Sequence, residues 1–374
     1  WRSDSAMLKF CLLFVLPVAL TVPLTNNDPP PAPPFTCTKL PKSPAPPTDA
    51  RHIRFTDVAA VAAVGDSITA AFAAEEKYKL DGLREFKGIS WSIGGDDKYF
   101  NGEPAFTVPN FLGRVSGNVP KGASHGDELP VDAIRNKQGI MPYWGNSQKD
   151  QLNAAQSEAK VQDVPRQIQH VAQQLKLAGV DVNNDWKVLT ILIGANNGCG
   201  ACHGSSSDTA AYYKAQYEQV LGNITTLLPK TFVNMVQMFN ISGVYAQLKT
   251  SKYCMDIQEK FKECGCLMGS DADRTAMDVA LQSYNDQIVD LAAEWNAKNL
   301  TDHYFAVQPA LRNMPVFSRD YLSGVECFHP SYLAHGALAI GLWNNMLNPP
   351  ATKATTLIPG KVQIQCPTAD QYLQ

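Results

Sequence analysis

Val58-Ala-Ala-Val-Ala-Ala-Val-Gly65-Asp66-Ser67-Ile68-Thr69-Ala70-Ala71-Phe72-Ala73 begins as an unbroken run of small apolar residues, closes on Gly-Asp-Ser and continues into helix formers. An apolar run without alternation marks a strand buried on both faces, as in a parallel sheet. The expectation is a buried strand, a tight turn and a helix start, with Ser67 at the carboxyl end of the strand. Ligands of open α/β sheets bind beyond such ends, and backbone N–H groups at a helix start can hold an oxyanion. Ser67 is therefore the candidate nucleophile. Taken alone, Gly-Asp-Ser is also an ordinary turn with an Asp or Ser cap. What lies downstream decides between the two.

Trp186-Lys-Val-Leu-Thr-Ile-Leu-Ile193 is a second near-continuous β run, and it too ends in a small polar turn, Gly194-Ala195-Asn196-Asn197-Gly198. A helix with Pro165 near its start precedes it, over Val164 to Leu175. Further on come a helical stretch from about Ala210 to Leu228, a strand at Thr231 to Met238 and a cysteine-bearing insertion from Tyr253 to Met268. Met277, Ala280, Leu281, Tyr284, Ile288, Leu291 and Trp295 form the apolar stripe of a long amphipathic helix, which reads as core packing. A strand at Tyr304 to Gln308, the loop Glu326-Cys327-Phe328-His329-Pro330-Ser331 and a helix from about Tyr332 to Met346 complete the alternation. Nearer the start, Gly88 to Ile93 reads as a short strand running into a glycine turn, and Lys98 to about Asn153 as a long irregular excursion that shapes access. Strand alternating with helix predicts an α/β fold with a mainly parallel sheet covered on both faces.

The 374 residues carry a net charge of -3 and a pI near 6.2, which gives no basic footprint for nucleic acid. Met7 to Thr21 has one positive charge, an apolar core of signal-peptide length and small residues beyond it, so export is expected. The chain then divides into an upstream extension and signal peptide over 1–21, a Pro-rich arm over 22–51, a globular domain over 52–348 and a tail over 349–374. Nine prolines between Pro29 and Pro47 keep the arm extended. Eight cysteines remain beyond Cys11, an even number that predicts a disulfide framework of open connectivity, with Cys37 able to strap the arm to the globule. Sequons at Asn223, Asn240 and Asn299 fit passage through a glycosylating compartment. The tail lacks a hydrophobic anchor, so a secreted protein is expected.

Acyl transfer needs a nucleophile, a base, an acid that orients the base and donors for the oxyanion. Ser67 supplies the hydroxyl and its own N–H, Gly95 a backbone N–H with no side chain in the way, and Asn196 a side-chain amide. Among seven histidines, His329 is the candidate base because it lies in a loop just before a helix, three residues after Glu326, the candidate orienting carboxylate. These residues also carry a resemblance. Gly65-Asp66-Ser67, Ser92-Ile93-Gly94-Gly95-Asp96, Ile193-Gly194-Ala195-Asn196 and Glu326-x-x-His329 resemble, in order, the four blocks of the GDSL or SGNH hydrolases. Ser90-Trp-Ser-Ile-Gly-Gly95, Asp185 to Gly194, Cys327-Phe-His329 and Leu342-Trp-Asn-Asn-Met346 resemble its phospholipase B branch.

The resemblance covers about Phe35 to Cys366. It implies a three-layer α/β/α, flavodoxin-like fold and hydrolysis of acyl esters in phospholipids and lysophospholipids, by a monomer working transiently at a lipid surface without metal or organic cofactor. Glu326 stands where the family has aspartate, and Asn197 where the phospholipase B pattern has an aspartate after the oxyanion Asn. Cys199-Gly-Ala-Cys202-His203 has the letters of covalent haem attachment, but it follows the Asn196 turn directly and the branch has a similar cysteine pair there. A local disulfide bracing that loop is expected instead. Zinc on Cys264, Cys266 and a histidine has the wrong spacing for the common sites. Two other readings are a hydrolase of simple or carbohydrate esters and a hydrolase fold that binds lipid without cleaving it.

Overall fold

Four parallel strands form at the continuous apolar runs: β1 (Val58–Gly65), β2 (Trp186–Leu192), β3 (Thr231–Val236) and β4 (His303–Gln308). They pair in that order, with Gly65 beside Leu192, Ile191 beside Met235 and Val236 beside Gln308. The carboxyl ends of the strands are therefore level, and the segments leaving β1 and β2 emerge side by side. The computed structural model describes residues 35–75, 83–97, 104–130, 147–314, 318–358 and 361–374. The signal-peptide expectation and the first part of the Pro-rich arm, residues 22–34, lie outside them.

Besides a single helical turn at Ser147–Asp150, the helices among the described residues are α1 (Val108–Ser116), α2 (Val164–Gln174), α3 (Ala195–Ala201), α4 (Ala210–Leu227), α5 (Ser242–Leu248), α6 (Lys252–Phe261), α7 (Asp271–Asn296) and α8 (Tyr332–Leu347). A sheet in sequential order with right-handed crossovers puts its connecting helices on one face, and α4 packs between α2 and α7 there. The other face is closed by α1 and α8, where Trp343 meets Phe111 and Phe55 edge to face at 5.6 and 5.0 Å. This is the α/β sandwich expected from the sequence, with helices on both faces.

Three local expectations need correction. Gly88 to Ile93 is not a strand: a 3₁₀ turn over Lys87–Ile89 runs into a further turn, and Gly94 makes an isolated bridge to Ser124. The free edge of β1 is instead met by irregular backbone, with Val61 N–H donating to Lys121 O and Ala63 N–H to Leu152 O. No helix follows Ser67. Ala70 N–H reaches Asp66 O, but Ala73 N–H donates to Arg84 O and Phe86 N–H to Ala71 O, and Ala71 and Ala73 take positive φ. Pairing with the 84–86 segment overrides alanine's helix propensity. The excursion after Lys98 contains a helix, α1, capped by Thr107 Oγ1, with Pro109 in its first turn and Gly117 left-handed at its end.

The arm is bound to the globule. Phe35 stacks on Phe111 at 5.4 Å, Leu40 N–H donates to Val115 O, and Cys37 is bonded to Cys366 in the tail. The tail in turn lies along α8, where Gln365 O accepts from Trp343 Nε1 at 2.8 Å. Replacing Cys37 and Cys366 together by serine should lower stability by roughly 2–4 kcal/mol, since the bridge closes a very long loop. A lower denaturant midpoint is the measurement that checks it.

Candidate active site

The turn after β1 is closed by its own aspartate. Asp66 Oδ1 accepts the Ile68 N–H at 3.0 Å, an Asx turn that presents Ser67 at its crest. Burial pushes the Asp66 carboxyl up to about 7, against the lowering pull of the Ile68 N–H and of His329. The Ser67 backbone N–H donates to no group among the described residues.

His329 arrives from the far edge of the sheet through a small closed loop. Ser323 N–H donates to His329 O at 2.8 Å, Leu322 bridges Pro330, and Tyr332 N–H donates to Ala74 O, which ties the start of α8 to the Ser67 turn. His329 Nε2 consequently lies 2.8 Å from Ser67 Oγ, with both side chains nearly closed to solvent. Glu326 is fully buried in the same loop. Its Oε1 accepts the His329 N–H at 2.7 Å and its Oε2 accepts the Phe328 N–H at 3.2 Å. Oε2 also faces His329 Nδ1 at 3.4 Å, longer than an ordinary hydrogen bond, so the hold on the ring is mainly coulombic. The tautomer that fits has its proton on Nδ1, toward Glu326, and leaves Nε2 to accept from Ser67.

Burial by itself lowers the pKa of His329, but Glu326, Glu263 and Asp66 outweigh it and hold the imidazole above its usual value. His335 sits behind. Burial and the charge of His329 push it down to about 3, and as a neutral ring its Nδ1 accepts the Trp91 N–H at 3.3 Å.

The oxyanion candidates divide. Asn196 lies in the first turn of α3, just after Gly194, whose φ of 125° turns the chain off β2. One Nδ2 proton goes to Ala159 O at 2.9 Å, and the other has no partner among the described residues. Gly95 does not present a free donor: its N–H is committed to Ser124 O at 2.7 Å. Glycine is needed there for packing, since a Cβ would meet Ala123 Cβ at 2.8 Å. Asn197 turns away from the histidine. Its Oδ1 accepts from Val161 N–H, and its Nδ2 donates to Ser207 O and Asp208 Oδ1, so it braces the loop.

Cys199 and Cys202 are not joined to each other, contrary to the sequence reading. They pair with Cys264 and Cys266, a double staple between α3 and the loop before α7. Cβ atoms three apart on a helix are about 5–6 Å apart, wider than the roughly 3.5–4.5 Å a disulfide favours. Cys202, His203 and Cys266 offer ligand atoms within 4.8 Å of one another, but the cysteines are bonded together and supply no thiolate for a metal or a haem. The fourth bridge, Cys254–Cys327, holds α6 to the histidine loop.

Residues 61–342 match the GDSL-like lipases and acylhydrolases. The chain belongs to that family. Along 348 residues it is 29% identical to mouse "Phospholipase B1, membrane-associated", and along 351 it is 30% identical to the rat protein, with 90% of this chain covered in each case. The chain spans 22% of the length of those relatives. Among solved structures it is similar to an extracellular lipase from Streptomyces rimosus, at 17% identity over 74% of this chain and 95% of that one, with a TM-score of 0.32. So loose a superposition adds nothing to the fold described above.

As a GDSL family member the chain stands among ester hydrolases. Sequence reasoning did not find Glu263, which has no motif and lies between α6 and Cys264. Burial raises its pKa, opposed by the nearby His329. A base must be neutral to work, so kcat/KM should fall as pH drops through the raised His329 pKa. Glu263→Gln removes a negative charge that favours the imidazolium, so it should lower that pKa and carry activity to more acid pH. A kcat/KM profile on a soluble chromogenic ester, wild type against variant, checks the direction.

Proposed function

We propose that the protein is a secreted serine hydrolase that cleaves acyl esters of phospholipids and lysophospholipids through an acyl-enzyme on Ser67. The observation that carries this reading is the 2.8 Å approach of His329 Nε2 to Ser67 Oγ, backed by the buried Glu326. The phospholipid substrate class is drawn from the names of the curated relatives.

His329 Nε2 takes the Ser67 proton as Oγ attacks the ester carbonyl carbon. The negative charge that forms on the carbonyl oxygen is met by the Ser67 N–H and the spare Asn196 Nδ2 proton, each donor of this kind typically worth about 3 kcal/mol of barrier. Collapse of the tetrahedral intermediate breaks the bond to the alcohol oxygen, which receives the proton from His329. A water deprotonated by the same nitrogen then attacks the acyl carbon, the bond to Ser67 Oγ breaks, Oγ takes the proton back from His329, and the fatty acid is released. Glu326 keeps the ring in the Nδ1–H tautomer and stabilises the imidazolium of both halves.

Four disulfides in the described residues and the apolar segment after Met7 support export, and Asn240 and Asn299 are exposed sequons. No helix of the described residues is long and apolar enough to cross a membrane. Purified protein should release fatty acid from lysophosphatidylcholine and from diacyl phosphatidylcholine, and Ser67→Ala should lose at least about a thousandfold in rate. Cleavage of a short-chain ester but of neither lipid would leave the nucleophile standing and overturn the substrate.

A further inference from the structure

We infer that Gln258, on α6, is a positioning residue for Glu326: it fixes the backbone of Glu326, and through it the carboxylate that faces His329, without neutralising that carboxylate. The inference rests on the proposed roles of Ser67 and His329. Gln258 is fully buried, and its Nε2 donates to Glu326 O at 2.6 Å and lies 3.4 Å from Glu326 Oε2. Both neighbours are acceptors, so only the NH₂ side of the amide can face them.

The rest of α6 makes the placement rigid. Cys254 is bonded to Cys327, the residue after Glu326, and Tyr253 Oη donates to Val325 O at 2.6 Å, the residue before it. Arg319 donates to both sulfurs of that disulfide and to Ser323 O. Cys327 itself sits at φ 69°, a left-handed conformation unusual for a residue with a side chain, which the surrounding links must hold. Gln258 is thus the third link from one helix to three successive residues of the histidine loop, and the one that reaches the carboxylate.

A neutral donor suits this position. A lysine or arginine there would orient Glu326 equally well but would compete with the imidazolium for its charge. An apolar residue would leave the carboxylate to two backbone N–H groups and the facing imidazole. The ionisable groups around the pair are Glu263, Asp66 and His335 toward His329, Glu263 and Tyr253 toward Glu326, and Arg319 beside Tyr253 and the Cys254–Cys327 bridge. Gln258 is the uncharged group among them.

The test is Gln258→Met in the full chain, of similar length and without a donor. The expected result is a kcat about tenfold lower, from losing the 2.6 Å bond that sets the Glu326 backbone together with the longer polar contact to its carboxylate, with KM unchanged. The acid limb of kcat/KM should move to higher pH, because a less compensated Glu326 favours the imidazolium. Gln258→Glu, which adds a like charge beside Glu326, should move the limb further in the same direction. The His329 Cε1–H titration, followed by NMR and assigned with His329→Gln, reads the shift without turnover. A titration that moves in a chain inactive on every ester would sink the functional reading and leave the positioning role intact. A limb and a titration that stay at wild-type values in both variants would overturn the positioning role. Should neither variant fold, the wild-type Gln258 Nε2 protons decide: slow exchange with solvent supports the inference, and exchange at the rate of a free amide refutes it.

Discussion

A hydrogen bond between Ser67 and His329, 262 residues apart in the chain, is the constraint the rest of the molecule satisfies. Ser67 is fixed by a strand with no freedom to shift, since β1 is paired along its length to β2 and its residues are almost all buried. His329 has no strand of its own. Its place comes from a loop beyond the opposite edge of the sheet, and the loop is tied to α6 by a disulfide and side-chain hydrogen bonds and to the Ser67 turn by Tyr332 N–H. Sheet, helix α6 and loop must all be right for two atoms to meet at hydrogen-bond distance. Pre-organisation of this kind is where much of an esterase's rate is gained, because the reacting groups need not be ordered during the reaction.

The electrostatics of the site follow from the same burial. The fully buried Glu326 and Asp66 and the half-buried Glu263 share one imidazole, and their combined field raises the His329 pKa despite the cost of desolvation. Asp66 is itself lifted to about 7, so part of the negative charge beside the nucleophile is titratable near neutrality. In the proposed mechanism a proton taken from Ser67 lands on a ring already prepared to carry positive charge.

Much of this was legible in the sequence, and for stated reasons. β1 and β2 are long apolar runs ended by small polar turns, a pattern with few alternatives, and the stripe from Met277 to Trp295 is the buried side of α7. Ser67, His329 and Glu326 form a set in the sequence, and the structure brings them together; Asn196 gives one side-chain proton to Ala159 O and keeps the other. Other features depend on partners distant in sequence. The Gly95 N–H is committed to Ser124, the residues after Ser67 leave the helix to pair with residues 84–86, and the cysteines of α3 find the 264–266 loop. Gln258 reads in one dimension as a polar residue on an amphipathic helix, and only packing shows it buried against Glu326. The cap of α1 was different, because Thr107 followed by Pro109 and closed by Gly117 is a local signal that the sequence does carry.

The central claim is that Ser67 is a nucleophile activated by His329, and covalent labelling tests it without assuming any substrate. Intact protein treated with an alkyl fluorophosphonate, digested and analysed by mass spectrometry should carry a single adduct on the peptide containing Ser67. The same reaction should be slowed at least about a hundredfold in His329→Ala, in line with general-base contributions to such steps. An adduct on another residue, or labelling of Ser67 at the same rate with and without His329, would contradict the account.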